Sequence, residues 1–167
     1  MTEQTAPSSE KLPERSRIVQ EHVRAAGLAS LVRELPDSAR TAVEAAAALG
    51  CEVGAIGSSL LFLADGDPLL VMTSGRHRVD LEVLAASVGA VEVAMAPVSV
   101  VREVTGQAIG GVAPVGHPAP VRTVVDVALR DYDVVWTAGG TPHTVMPMTF
   151  DELVALTGAP VIAVAAD

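Results

Sequence analysis

Cysteine, lysine and aromatic side chains are nearly absent from this 167-residue chain. Cys51 stands alone, so no intrachain disulfide can form and no cysteine cluster is available to a metal. Lys11 is the only lysine, and any lysine chemistry must use it or go without. Aromatics make up 2% of the residues: Phe62, Phe150, Tyr132 and Trp136. The core is therefore expected to be aliphatic, and the stacking platforms of single-stranded nucleic-acid binders are nearly excluded. Basic residues are also few, 11 against 20 acidic ones, for a net charge of −9. Such a chain offers no broad phosphate-neutralising surface, so DNA is not an expected partner. A small pocket holding the end of a nucleic acid stays open. No apolar run reaches the roughly eighteen residues of a membrane span, and the opening segment MTEQTAPSSEKLPERSR is polar, so neither membrane nor secretory leader is expected. A reducing cytoplasm fits the lone cysteine.

What is present is one domain's worth of aliphatic sequence, 50% hydrophobic. Residues 1–15 are rich in Ser, Pro, Glu and Thr and read as a mobile tail, with a single domain over 16–167. Ile18, Val19, Val23 and Ala26 recur at helical spacing and predict a helix over 16–26, stopped by Gly27. A short edge strand is expected over 31–35, broken by Pro36-Asp37. Thr41 and Glu44 form a capping box for an alanine-rich helix closed by Gly50. The runs 60–63 and 69–72 flank Asp65-Gly66-Asp67-Pro68 and predict a hairpin. Asp80 caps a helix closed by Gly89, a strand follows at 91–94, and Ser99 is expected to cap a short helix ending at Gly106. Three glycines and three prolines make 110–120 a constrained loop. Strands are expected over 122–129 and 134–138, then a helix capped by Thr149 and Glu152, and a last strand over 161–164. The order of elements gives an α+β fold, with helices around a curved, barrel-like mixed β-sheet.

No phosphate-binding GxxxxGK[ST] loop, HExxH, CxxC or G-x-S-x-G elbow occurs. His22, His77, His117 and His143 are scattered, so a metal site would have to be assembled by folding, and none is expected. Three local signals remain. Small hydroxyl residues, Ser58 and Ser59, stand at the mouth of a buried strand, where a plain strand-entry turn is the simpler reading. Gly110, Gly111, Val112, Pro114 and His117 lie in a loop whose glycines let amides face a ligand and whose prolines hold that shape. A rigid connector accounts for that loop about equally well. Ala138, Gly139, Thr141 and His143 follow a strand, where ligand loops often sit.

In order and spacing these segments resemble the YbaK family of free-standing aminoacyl-tRNA editing domains, related to the insertion domain of bacterial prolyl-tRNA synthetases. The resemblance spans 16–164. It comprises T-x-x-E-A-A-x-x-L-G at 41–50, I-x-x-S-L-x-F at 56–62, a G-x-x-x-P loop at 110–114, an acidic residue at Asp126 and the small pair Ala138-Gly139. It implies hydrolysis of the ester joining a wrong amino acid to tRNA, with the tRNA acceptor end as partner and no cofactor. Catalysis would rest on the amides of Gly110, Gly111 and Val112 stabilising the developing oxyanion. Ser58, Ser59, Pro114, His117, Ala138, Gly139, Thr141 and His143 would contact the substrate, with Ser58, Ala138 and Gly139 setting pocket size. Assembly as a homodimer is open. The family carries a lysine where Ser58 stands, which implies altered or weakened activity. Two alternatives remain: an editing fold retained as a binding module without turnover, and an unrelated hydrolase pairing His143 or His117 with Ser58 or Thr141.

Overall fold

The computed structural model describes residues 12–35 and 41–166. Lys11 and the expected break at Pro36-Asp37 lie outside the described residues. Among the described residues the chain forms α1 (Glu14–Ala25), β1 (Arg33–Glu34), α2 (Ala42–Leu49), β2 (Ile56–Ala64), β3 (Asp67–Ser74), α3 (Leu81–Val88) and β4 (Val93–Met95). It continues through α4 (Val98–Thr105), β5 (Thr123–Asp126), β6 (Val135–Ala138), β7 (Thr144–Met148), α5 (Phe150–Thr157) and β8 (Val161–Ile162). The expected α+β class with a mixed sheet is what forms. Eight strands share one sheet in the order β1-β7-β6-β2-β3-β5-β8, and β4 pairs separately with β2. No helix among the described residues is long and apolar enough to cross a membrane.

The local signals explain most of the elements. Thr41 and Glu44 exchange both bonds of a capping box, and α2 ends at Gly50 in the left-handed region, φ 69°, that a Cβ disfavours. The β2–β3 hairpin turns on Asp65 and Gly66, both at positive φ (50° and 87°), as a two-residue primed turn requires. Pro68, read as part of the turn, lies inside β3 opposite Leu63. It is tolerated there because β5 begins to pair with β3 only at Leu70.

Other boundaries move for local reasons. Helix α1 opens at Glu14 rather than residue 16, and Leu12 is already buried in the core. Helix α4 is led by Pro97 at its N-cap, so Ser99 sits inside the first turn instead of capping it. The strand expected over 122–129 stops at Asp126. The Asp126 carboxylate accepts from the Ala128 amide (2.9 Å) and turns the chain into a 3-10 segment over Val127–Asp131. Strand β7 has no counterpart in the sequence expectation. Its Pro147 argues against a strand in any simple pattern reading, yet it pairs with β6 opposite Trp136.

Alternation along β2 separates two packed faces. Ile56 meets Ala45 and Ala46 of α2, and Phe62 and Ala64 meet Leu84 of α3. On the opposite face Leu61 meets Val101 of α4 and Val112, and beyond them Val19 and Val23 of α1 pack with Val135, Met146 and Leu153. Buried Gln20 fixes the approach to β1. Its Nε2 donates to Ser30 O (3.0 Å) and its Oε1 accepts from Val32 N (2.8 Å).

Helix α5 brings Leu153, fully buried, onto this core behind its own capping box. Thr149 Oγ1 accepts from Glu152 N at 3.1 Å, and Glu152 Oε1 accepts from Thr149 N at 2.9 Å. Replacing Thr149 with alanine orphans a first-turn amide. The expected cost is about 1 kcal/mol, read as a lower urea midpoint at unchanged slope.

Candidate functional site

Strand β2 is paired unevenly. Along β3 its register is continuous from Gly57 opposite Ser74 to Ala64 opposite Asp67. On its other side only Ile56 and Gly57 pair with β6, in parallel, and only Phe62 to Ala64 pair with β4, antiparallel. Among the described residues, the stretch between these contacts has no strand beside it. A cleft of about 530 Å³ opens there, with Ser58, Ser59 and Leu60 along one wall and Met95, Ala138, Gly110 and Val112 around the remainder.

The loop before β5 forms the facing wall and is braced from within. Buried Gln107 accepts from Ala113 N at 2.7 Å and donates to Val115 O at 3.3 Å. Gly111 donates its amide to Ala108 O at 2.9 Å and packs against the main chain of Thr141, so close that a Cβ would lie 2.5 Å from Thr141 Cα. Its missing side chain thus serves loop-to-loop packing. The amides of Gly110 and Val112 have no main-chain acceptor among the described residues.

Apart from Gly111, which does not line the cleft, the residues singled out in the sequence divide into three groups. Ser58, Ser59, Gly110, Val112 and Ala138 line the cleft. Gly139, Thr141 and His143 form the turn between β6 and β7 and do not line it. Gly139 N donates to Thr144 O (2.9 Å), Thr141 and Thr144 hydroxyls lie 3.0 Å apart, and His143 is exposed. Pro114 and His117 border a separate depression that also includes His22. They diverge from the cleft because the loop has already turned inward at Ala113, which is fully buried.

One constellation was not anticipated. Asp126, 1% exposed, accepts four bonds. Ser74 N (2.9 Å), Thr73 Oγ1 (3.3 Å) and His77 Nε2 (2.5 Å) converge on Oδ2, and Ala128 N (2.9 Å) reaches Oδ1. A buried carboxylate needs this many donors to offset its lost hydration. Both Thr73 and His77 line the cleft, and Thr73 is the cross-strand partner of Ser58. Arg76, His77 and Arg78 are three adjacent basic residues, but the structure separates them. Arg76 pairs with Asp131 at the surface (2.8 Å), which holds its guanidinium above its usual pKa; His77 turns in to Asp126; Arg78 is exposed at the cleft rim. A histidine three residues after a strand, with an aspartate ending a later strand, was the available signal. The hydroxyl of Thr137, another lining residue, is the one buried side-chain polar atom without a hydrogen-bond partner among the described residues. No group of three His, Cys, Asp or Glu among the described residues gathers as a metal site.

Residues 36–156 match the sequence profile of the aminoacyl-tRNA editing domain. The chain belongs to this family. It is 30% identical over 123 residues to the uncharacterized protein YwhH of Bacillus subtilis (strain 168), covering 73% of this chain and 78% of that one. It is 34% identical over 87 residues to the proline–tRNA ligase of Geobacter sp. (strain M21), covering 52% of this chain and 15% of the ligase. Among solved structures, a candidate trans-editing enzyme for prolyl-tRNA synthetase superposes with a TM-score of 0.87 at 43% identity, covering 94% of this chain and all of that one.

His117 offers a test of the depression beyond the cleft. Burial pushes its pKa below 6.5, aided by nearby His22 and opposed by the bond from its Nε2 to Ala113 O (2.9 Å). The folded state therefore favours the neutral ring. That stabilisation is complete above the ordinary histidine value and is lost as pH falls through it toward the lower folded value. Urea midpoints are expected to drop between about pH 8 and about pH 5 in the wild type and to drop less in His117→Gln. Parallel profiles would show that His117 is not buried as neutral imidazole.

Proposed function

We propose that this editing domain works in trans as an aminoacyl-tRNA deacylase, hydrolysing the ester of a mischarged tRNA of the prolyl type. The observation that carries this reading is the near full-length, 43% identical match to a candidate trans-editing enzyme for prolyl-tRNA synthetase. The position of the cleft supports it, because the cleft brings a strand edge and a braced glycine loop to one place.

The chemistry asks little of side chains. An aminoacyl ester is already activated. Water adds to the ester carbonyl carbon, the carbonyl oxygen takes on negative charge, and the bond to the ribose oxygen then breaks. The ribose oxygen takes a proton as it leaves, giving free amino acid and intact tRNA. The amides of Gly110 and Val112, uncommitted to main-chain acceptors among the described residues, are the proposed donors to the oxyanion. Gly111 contributes by holding the loop against Thr141. Ser58, Ser59 and Ala138 contact the acyl group. Gly139, Thr141 and His143 act by shaping the turn that Gly111 leans on. Only the acceptor end need enter, so a net charge of −9 is no obstacle.

A panel of tRNAs mischarged with small amino acids tests the activity, starting with alanyl- and cysteinyl-tRNA of the prolyl type. Deacylation above the spontaneous rate for at least one is expected. No turnover on any would leave the binding-module reading instead.

Ser58 is the second test. Serine offers an uncharged hydroxyl where the family carries an ammonium. A charge-assisted bond regained there is worth about 1.5–3 kcal/mol, roughly one to two powers of ten in affinity. Ser58→Lys is expected to bind a non-hydrolysable aminoacyl-adenosine analogue more tightly, with the gain shrinking as salt rises. Equal affinities and equal salt slopes would mean that position 58 does not reach the ligand.

A further inference from the structure

Successive residues of a strand direct their main-chain groups to opposite edges, so residues two apart share an edge. Leu61 O accepts from Ala96 N at 3.1 Å, toward the β4 side, whereas Ile56 O accepts from Gly75 N at 2.9 Å, toward the β3 side. Both observations give one parity. Gly57, Ser59 and Leu61 face the β6 and β4 side with N–H and C=O together; Ser58 and Leu60 face β3. Gly57 meets β6, and Leu61 is met by Ala96. Ser59 is the rung between them. The β6 register ends at Gly57–Thr137 and the β4 register begins at Phe62–Met95, so no strand of the described residues lies opposite it. Among the described residues, no loop replaces the missing strand with a main-chain hydrogen bond to Ser59. The gap at this rung is the cleft, whose lining includes Ser59, Ala138 from the end of β6 and Met95 from β4.

An aminoacyl group has the shape of one strand residue: an amine, a tetrahedral carbon and a carbonyl, in the order found in a peptide. In a hydrogen-bonded antiparallel pair, two residues exchange both N–H···O bonds. Resting on the ester-hydrolase reading above, we infer that the aminoacyl group binds as a single-residue strand in the open rung at Ser59. Its α-ammonium donates to Ser59 C=O, and Ser59 N–H donates to the ester carbonyl oxygen. This is strand addition reduced to one residue. The Ser59 hydroxyl is not needed for it, being engaged with Met72 Sδ at 2.9 Å. The rung also fixes the reacting carbon. With Ser59 on one wall and the Gly110 and Val112 amides on the other, the carbonyl is polarised from the β2 edge and the amine selects an aminoacyl ester over a plain acyl ester.

Proline at 59 tests the assignment, because it deletes the N–H that faces the cleft and no N–H of the β3 ladder. The full chain is assayed on alanyl-tRNA and on propionyl-tRNA, which lacks only the α-amino group, each rate being divided by its spontaneous hydrolysis. Ser59→Pro is expected to lower kcat/KM on alanyl-tRNA about 100-fold or more, the usual effect of losing one oxyanion donor. Ser59→Ala keeps the N–H and should exceed the proline variant by at least about 30-fold. The wild type should favour alanyl- over propionyl-tRNA by about 10-fold or more, for one lost charge-assisted bond. Should the proline variant fail to fold by circular dichroism, the propionyl comparison decides alone. Equal rates on the two esters, or a folded proline variant as active as the alanine one, would overturn the assignment and leave deacylation standing. A wild type inactive on every mischarged tRNA would overturn the ester-hydrolase reading itself.

Discussion

Strand β2 has a continuous neighbour on one edge and an interrupted one on the other, and the remaining architecture follows from that asymmetry. On the β3 side, eight successive residues from Gly57 to Ala64 are in register. On the far side, β6 runs parallel to β2 for two residues and β4 runs antiparallel for three. The two come from different parts of the chain, and neither extends to meet the other. β6 must turn back at Gly139 to become β7, and β4 gives way to Ala96 and Pro97 before α4. An exposed strand edge is ordinarily a liability, because its unpaired groups invite another chain. Here it is short, recessed and walled by the 106–122 loop, so the unsatisfied groups lie in a cleft that admits a small ligand.

That wall depends on two locks, one within the loop and one between loops. Gln107 ties the loop to itself, and Gly111 ties it to Thr141 in the β6–β7 turn, whose own Thr141–Thr144 contact closes the hairpin. On the opposite side, Asp126 gathers the end of β3, the turn after it and the start of the 3-10 segment through four bonds. Removing the carboxylate would strand several buried donors at once, a larger loss than any one of its bonds represents. The cleft is therefore held from both sides by buried polar groups that are themselves satisfied. Such an arrangement suits a site that must keep its shape without a bound partner.

The sequence carried the helices well and the cleft only in part. Capping boxes at Thr41 and Thr149 are local devices, fixed by a few adjacent residues, and both form as expected; the hairpin forms too, with its turn on Asp65 and Gly66 alone. Strand β7 was illegible because Pro147 and the short TVMPM run carry a poor strand pattern; pairing with β6 on one side and β1 on the other overrides it. Gly110 and Gly111 were expected to let amides face a ligand. At Gly111 the approaching partner is the chain itself. His77 was hidden by its arginine neighbours, since three basic residues in a row read as a solvated turn until a buried carboxylate claims the middle one.

The open rung was also beyond local reading. Nothing about Ser58, Ser59 or Leu60 marks an unpaired edge, because pairing is a property of β4 and β6, which are distant in the chain. A site built this way explains a tension in the composition. Recognition of an RNA substrate by phosphate contacts would call for a basic surface, and this chain carries 20 acidic residues against 11 basic ones. In the binding mode inferred above, main-chain amides and carbonyls at a strand edge hold the aminoacyl end with no net charge of their own. They also make identical contacts whatever the side chain, so discrimination falls to the walls. There a serine at 58 leaves open the space that a lysine would fill. In that mode the common features of every aminoacyl ester fall to the backbone of β2, and the differences among them to the residues around the cleft.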